Sequence, residues 1–415
     1  MRRRSACAAA AATAACGLAL LAGCAGGSAG PGGTPAQGTD PPPSPEVQLE
    51  ALLDRRAKAL EAGSARRFAA TAMGRQRTRD RRTALNARAL PLQGVRLTAG
   101  RIDVDGSRAV LQVRSSYAVK GIRGRFDAPR TLRARRTGEG WRIRSETSGR
   151  RRHPWEVARS AAQRSAHFTI FAPATLATDG LADALEAGYA RMREILVSGR
   201  LRRRYLVVVA GDAAQARRMT AGIRGVATLA AISDTSVRER GLAERVVSVA
   251  SQRLLVIWPS FGPLDPDARQ RVVAHELTHA ALAGQTSGRT PAWLTEGIAL
   301  YVSGDDRVTD AAGLLFAGVT GRALTLTGLS QPDAIGRLDG DGQTAAYAYS
   351  SAAAFYIAER FGRKRFFDLY DVFNEESLAG PAGSVLTGRA VRRALGISLL
   401  ALERDLRRWI LESAA

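Results

Sequence analysis

The strongest constraint on this chain is a pair of histidines four residues apart, His275 and His279, with Glu276 beside the first. Residues at this spacing lie on one face of an α-helix, about one turn apart, so both imidazoles can bind the same metal ion. The flanking sequence predicts such a helix. Asp265 is a good N-cap, the proline after it suits the first helical position, and no further glycine or proline occurs before residue 284.

A second predicted helix supplies a candidate for a third ligand. A catalytic zinc site takes three protein ligands and leaves one position to water. No histidine follows His279, which excludes a site completed by a third histidine farther along the chain. Glu296 lies among apolar residues just after Pro291, where an unpaired carboxylate would be costly to bury. The pattern therefore predicts that Glu296 has a partner.

The segments HELTH at 275–279 and WLTEGIA at 293–299 resemble the motifs of gluzincin metallopeptidases, most closely the peptidase MA-like branch. The resemblance implies a zinc-dependent peptidase that hydrolyses peptide or protein substrates with a metal-activated water. It implies Glu276 as the catalytic general base. The Zn²⁺ ligands that it implies are His275, His279 and Glu296.

Members of this family often stabilise the oxyanion of the reaction with a tyrosine or histidine from their helical subdomain. Tyr349 is the candidate in this sequence, and Tyr347 is the alternative. Residues 246–249 and 254–258 are apolar enough to predict two strands, and this stretch can supply an edge strand that pairs with an extended substrate.

Two other functions remain open at this point. In the first, the chain is a non-catalytic lipoprotein that binds wall polymer or anionic lipid, and its zincin fold is inert. In the second, it is a metal hydrolase that acts on a bond other than a peptide bond. Zinc content and hydrolysis of a mixed peptide library distinguish a peptidase from an inert protein.

The first residues predict export and a lipid anchor. Three arginines at positions 2–4 precede an uncharged apolar stretch, and residues 21–24 read Leu-Ala-Gly-Cys. This ending resembles the bacterial lipobox, which implies a signal peptide over residues 1–23 and lipidation of Cys24. All three cysteines lie in the first 24 residues, so no disulfide is expected in the mature protein. Residues 24–45 are rich in glycine and proline and predict a tether. The predicted location is the extracytoplasmic face of the cell membrane.

Residues 46–155 predict a domain with helices first and an antiparallel sheet second. A helical apolar spacing covers residues 47–71, and six short alternating segments follow between residues 95 and 143. This order resembles the NTF2-like fold, an α+β cone. The segment contains no histidine before His153, so a binding or spacing role is favoured over catalysis.

Charge is concentrated in the same region. Residues 46–150 hold 25 basic and 10 acidic side chains, whereas residues 151–415 hold 33 and 27. A cationic region next to a lipid anchor favours anionic lipid or wall polymer as a partner. Nucleic acid is not favoured, because the basic residues lack the aromatic interleaving of single-strand binders and the N-terminal sequence predicts export.

Residues 165–415 predict a second domain. Strands are expected at 168–171 and 205–210, with a helix at 179–197 between them, and helices dominate after residue 266. The whole chain is therefore expected to be α+β. An N-terminal NTF2-like cone is followed by a zincin-type mixed sheet, an active-site helix and a helical C-terminal subdomain.

Overall fold

The structure is a computed structural model that describes residues 43–149, 151–196, 198–220, 223, 225–226, 228–240, 245–319 and 321–413. Ser44–Ala415 form one compact unit. The predicted signal peptide, Cys24 and the tether up to residue 42 lie outside the described residues. As far as the chain is described, none of its helices has both the length and the apolar character needed to cross a membrane.

The first layer combines three helices with a four-stranded antiparallel sheet. The helices are α1 (Pro45–Glu61), α2 (Ala65–Ala70) and α3 (Gly74–Ala87). The strands, adjacent in sequence order, are β1 (Leu92–Asp105), β2 (Arg108–Val119), β3 (Phe126–Thr137) and β4 (Gly140–Ser148). Residues of β2 alternate between buried and exposed, as expected when one face of a sheet covers a core. Leu49 and Leu52 of α1 share that core with Leu111 and Ile143.

This layer differs from the sequence prediction in two ways. The six short segments merge into four long strands, because polar residues, many of them arginine, occupy the exposed positions and interrupt the apolar pattern. Helix α3 was not predicted. Its sequence is mostly polar and buries only four side chains: Gln76, Asp80, Ala84 and Ala87.

A five-stranded mixed sheet forms the second layer. Its elements in chain order are β5 (Ser160–Arg164), β6 (Phe168–Pro173), α4 (Leu181–Ile195), β7 (Tyr205–Ala210), α5 (Ala213–Met219), β8 (Ala231–Arg240) and β9 (Arg245–Ile257). The spatial order is β5-β6-β7-β9-β8. Strands β6, β7 and β9 are parallel, while β5 and β8 pair antiparallel at the two edges.

The predicted strands at 246–249 and 254–258 are one continuous strand, β9, which lies inside the sheet. The expectation that this stretch supplies the edge was therefore wrong. The edge strand beside β9 is β8, whose largely polar sequence gave no apolar signal.

Helices dominate the described residues after β9. They are α6 (Trp258–Phe261), α7 (Pro266–Leu282), α8 (Ala292–Ser303), α9 (Val308–Phe316), α10 (Gly340–Phe361), α11 (Arg363–Val372), α12 (Ser384–Leu395) and α13 (Leu399–Ser413). With two sheets and this helical part, the predicted α+β class is confirmed.

The second sheet is buried on both faces, which explains why β7 is apolar at every position. On one face, Val207 and Val209 belong to the core that contains Val273 and Leu277 of α7. On the other face, Leu206 and Val208 share a core with residues of the first layer, among them Tyr117 and Trp155. Residues 46–155 therefore cover the back of the sheet that carries α7 on its front.

Candidate metal centre

Helix α7 holds the two histidines and is itself held against the sheet. The side chain of Asp265 accepts a hydrogen bond from the Ala268 backbone N–H at 2.7 Å, which caps the first turn as predicted. Val273 and Leu277 are fully buried in the sheet-facing core. The face opposite this contact carries His275 and His279 toward helix α8.

Helix α8 brings Glu296 to the histidines because its other side packs closely on α10. A Cβ atom at Gly297 would lie 2.6 Å from the Ser350 carbonyl oxygen, so only glycine permits this approach. The neighbours Ile298 and Leu294 are fully buried in the same core. The carboxylate of Glu296 is thus positioned by helix packing rather than by its own loop.

Three ligand-type atoms converge at this point. The Nε2 atoms of His275 and His279 lie 3.0 Å apart. The Oε2 atom of Glu296 lies 3.3 Å from the first and 3.5 Å from the second. The three side chains are 17%, 20% and 22% exposed, so the cluster is open to solvent on one side. These residues can hold one metal ion.

The charges in the cluster depend on one another. Burial opposes ionisation of Glu296, but the two imidazoles outweigh it and hold the pKa of this carboxyl well below its usual range. Burial also lowers the pKa of His279, yet the charge of Glu296 and the hydrogen bond to it raise that pKa to about 9. Among the described residues, Glu296 has no lysine or arginine partner. Within the described structure, the half-buried carboxylate of Glu296 is therefore balanced by imidazoles alone.

Glu276 lies beside the cluster but is not one of its three members. Its Oε2 atom accepts a hydrogen bond from the backbone N–H of Ser233 at 2.6 Å. Burial raises the pKa of Glu276, partly offset by the two histidines. Because Ser233 belongs to the edge strand β8, this bond connects the helix to that edge. Sequence reasoning missed Ser233, since its contact with Glu276 spans 43 positions of the chain.

The structure separates the two candidate tyrosines. Tyr347 lines the cleft in front of His275, and the negative charge of Glu296, then burial, raise the pKa of its hydroxyl. Tyr349 is fully buried, and its pKa is raised by burial and by Glu403 of α13. Tyr349 is thus not brought to the site, whereas the alternative, Tyr347, is.

The cleft has a volume of about 450 Å³, within the range usual for ligand sites. It is bounded by the start of β8, by the outer face of α7 and by the residues that follow α8. Its polar lining residues are Arg271, His275, Glu276, Asp305, Arg307 and Tyr347. Its apolar lining residues are Leu229, Ala230, Ala231, Leu264, Ala268, Val272 and Leu300.

Comparison of the chain with known proteins assigns no function to this site. No protein-family model and no curated protein matches the chain. One similar solved structure is that of a variant of Rv3472, a protein of unknown function from Mycobacterium tuberculosis. It is 17% identical over 25% of this chain and 72% of its own length, with a TM-score of 0.22, and this similarity carries no argument about function.

Proposed function

We propose that this protein is a zinc-dependent peptidase of the gluzincin type, anchored by lipid on the extracytoplasmic face of the membrane. The observation that carries the proposal is the convergence of His275, His279 and Glu296 beside a fourth residue, Glu276, that is not part of the cluster. In a tetrahedral site with metal–ligand distances of about 2.0–2.1 Å, two ligand atoms lie about 3.3 Å apart. The three separations of 3.0, 3.3 and 3.5 Å fit that spacing.

The chemistry divides between the metal and the chain. When bound, Zn²⁺ supplies a Lewis acid that lowers the pKa of water and polarises a carbonyl group. Glu276 accepts the proton of the attacking water and transfers it to the leaving amine. The Ser233 N–H orients the Glu276 carboxylate for this role.

Tyr347 and β8 complete the proposed site. The raised pKa of Tyr347 keeps its hydroxyl protonated, so it can donate a hydrogen bond to the substrate oxygen as negative charge develops there. Strand β8 is at the edge of the sheet and can pair with the backbone of an extended peptide. A peptide held in this way lies along the cleft in front of α7.

The proposal extends to the finer architecture and the location. We assign a zincin-type fold to residues 165–415 and an NTF2-like fold to residues 46–155, whose positive charge suits anionic lipid or wall polymer. The lipobox-like sequence supports an anchor at Cys24. Cys24→Ser should move the protein from the membrane fraction to the soluble fraction, and unchanged retention would reject the anchor.

Two substitutions test the proposed catalysis. Glu276→Gln should keep about one zinc per chain and lose activity by about 10²- to 10⁴-fold, since it removes only the proton acceptor. Glu296→Ala should lose the metal, because two histidines alone hold zinc poorly. Glu412→Gln, an exposed change on α13, serves as the matched control.

Elemental analysis and cleavage of a mixed peptide library give the two readouts. Loss of zinc in Glu276→Gln with retention in Glu296→Ala would show that the ligand assignment is wrong. Wild-type zinc content without any peptide cleavage would favour the inert lipoprotein or a non-peptide substrate.

A further inference from the structure

The cleft contains one arginine whose charge is not used by the fold. Arg271 lies on α7 four residues before His275, so both side chains are on the same face of the helix, about 6 Å apart along its axis. The side chain is exposed and lines the cleft. Within the described part of the chain it has no hydrogen bond, ion pair or ring contact.

The other arginines near the cleft have structural partners. Arg269, also on α7, donates to the Asp179 carbonyl oxygen at 3.2 Å and to that of Gly262, and it lies over an aromatic ring. Arg307 lines the cleft from the opposite side, but it forms an ion pair with Asp305 at 2.7 Å. Arg271 therefore contributes the uncompensated positive charge of the described cleft wall.

The other residues that line the cleft determine which ligand group can pair with Arg271. Seven of the lining residues are apolar. The two carboxylates of the wall already have partners within the chain. Glu276 accepts the hydrogen bond from Ser233, and Asp305 is held in its ion pair. A ligand in this cleft can make apolar contacts and can pair with the guanidinium of Arg271. A guanidinium pairs most strongly with a carboxylate.

We propose that Arg271 binds a carboxylate of the peptide substrate, either an acidic side chain or the C-terminal carboxylate, within about two residues of the scissile bond. The distance follows from the separation of about 6 Å between Arg271 and His275 along the helix, which an extended peptide covers in about two residues. The inference rests on the proposed peptidase function, since it places the scissile bond at the metal centre.

Binding of labelled peptide pools to full-length, zinc-loaded protein tests this assignment. The Glu276→Gln background prevents turnover during the measurement. One pool contains Asp and Glu and is C-terminally amidated. A second lacks acidic residues and has a free C-terminal carboxylate, and a third lacks both. Arg271→Gln is compared with Arg203→Gln, which removes an exposed arginine outside the cleft.

The first or the second pool should bind about 5- to 20-fold more tightly than the third, and which of them does so identifies the source of the carboxylate. The preference should disappear in Arg271→Gln, persist in Arg203→Gln and weaken at high salt. Equal binding of all three pools, no measurable binding, or a preference that survives Arg271→Gln would overturn the inference.

Cleavage by protein with intact Glu276 separates this inference from the proposed function. Cleavage of all three pools at equal rates supports a peptidase but rejects the role of Arg271. A carboxylate preference in binding without cleavage of any pool retains that role and rejects the peptidase.

Discussion

The first layer and the candidate metal centre each hold a group of buried or half-buried ionisable side chains, but they balance the charge differently. In the first layer, Arg56 pairs with Asp80 and, at 2.6 Å, with Glu146. Arg130 donates two hydrogen bonds of 2.9 Å to Glu156. Each of these carboxylates therefore has a guanidinium partner.

Among the described residues, the candidate metal centre has no such permanent cation paired with its carboxylate. Glu296 faces two histidines, and an imidazole in its neutral form presents a nitrogen lone pair that can bind a metal. Guanidinium groups cannot lose their proton and so cannot bind a metal. The difference indicates that the first group serves the fold, whereas the second is suited to take up a cation from solution.

The largest expected effect on stability comes from disrupting the buried ion pairs of the first layer. Arg56 is 1% exposed, and its removal in Arg56→Leu leaves Asp80 buried without its cation. The free energy of unfolding should fall by about 3–5 kcal/mol, measured by urea denaturation, while zinc content stays the same.

The control for this change is Arg101→Leu, which breaks an ion pair with Asp103 whose members are 74% and 52% exposed. It should change the stability by less than about 1 kcal/mol. Equal effects of the two substitutions would show that the buried group has no special role in the first layer.

A smaller effect is expected from the helix contact that positions Glu296. In Gly297→Ala the new methyl group meets the Ser350 carbonyl oxygen, so α8 must move away from α10. Stability should fall by about 1–3 kcal/mol, and the zinc affinity should fall with it. Gly313→Ala in α9 is the control, because an added Cβ there has no neighbour within 4 Å. Thermal denaturation and zinc titration of both variants provide the comparison, and unchanged zinc affinity in Gly297→Ala would contradict the positioning role.

The smallest effect concerns Asp234 of β8, which pairs with Arg253 of the neighbouring strand β9 and with Arg151 of the segment that follows β4. Burial opposes its ionisation, but both arginines outweigh burial and lower its pKa below the usual value of 3.8. The folded state therefore binds fewer protons than the unfolded state. The stabilisation by Asp234 should be complete above about pH 4 and decline at lower pH, by at most about 1.4 kcal/mol per pH unit.

The pH dependence of this stabilisation is measured as the difference in unfolding free energy between wild type and Asp234→Asn. A difference that grows toward low pH would reverse the assigned sign.

Sequence patterns predicted elements with a strong apolar period and missed those without one. Strands β6 and β7 were predicted because apolar residues run through them, and α7 because of its cap and its uninterrupted helical sequence. Strand β8 and helix α3 were missed, since their polar residues face solvent or other polar side chains. Their positions depend on partners that are distant in the chain.

The sequence by itself determined the α+β class and the placement of His275, Glu276 and His279 on one capped helix, because spacing within a helix is a local property. It also singled out Glu296, as a carboxylate in an apolar run. The tertiary structure decided that this carboxylate lies 3.3 Å from the His275 imidazole. It also decided which tyrosine reaches the cleft. Tyr347 and Tyr349 point about 200° apart around α10, so only one of them can face the cleft, and the packing of the helix selects Tyr347. Such choices depend on how α8 packs between α7 and α10, and contacts between separate helices leave no periodic signal in the residues that make them.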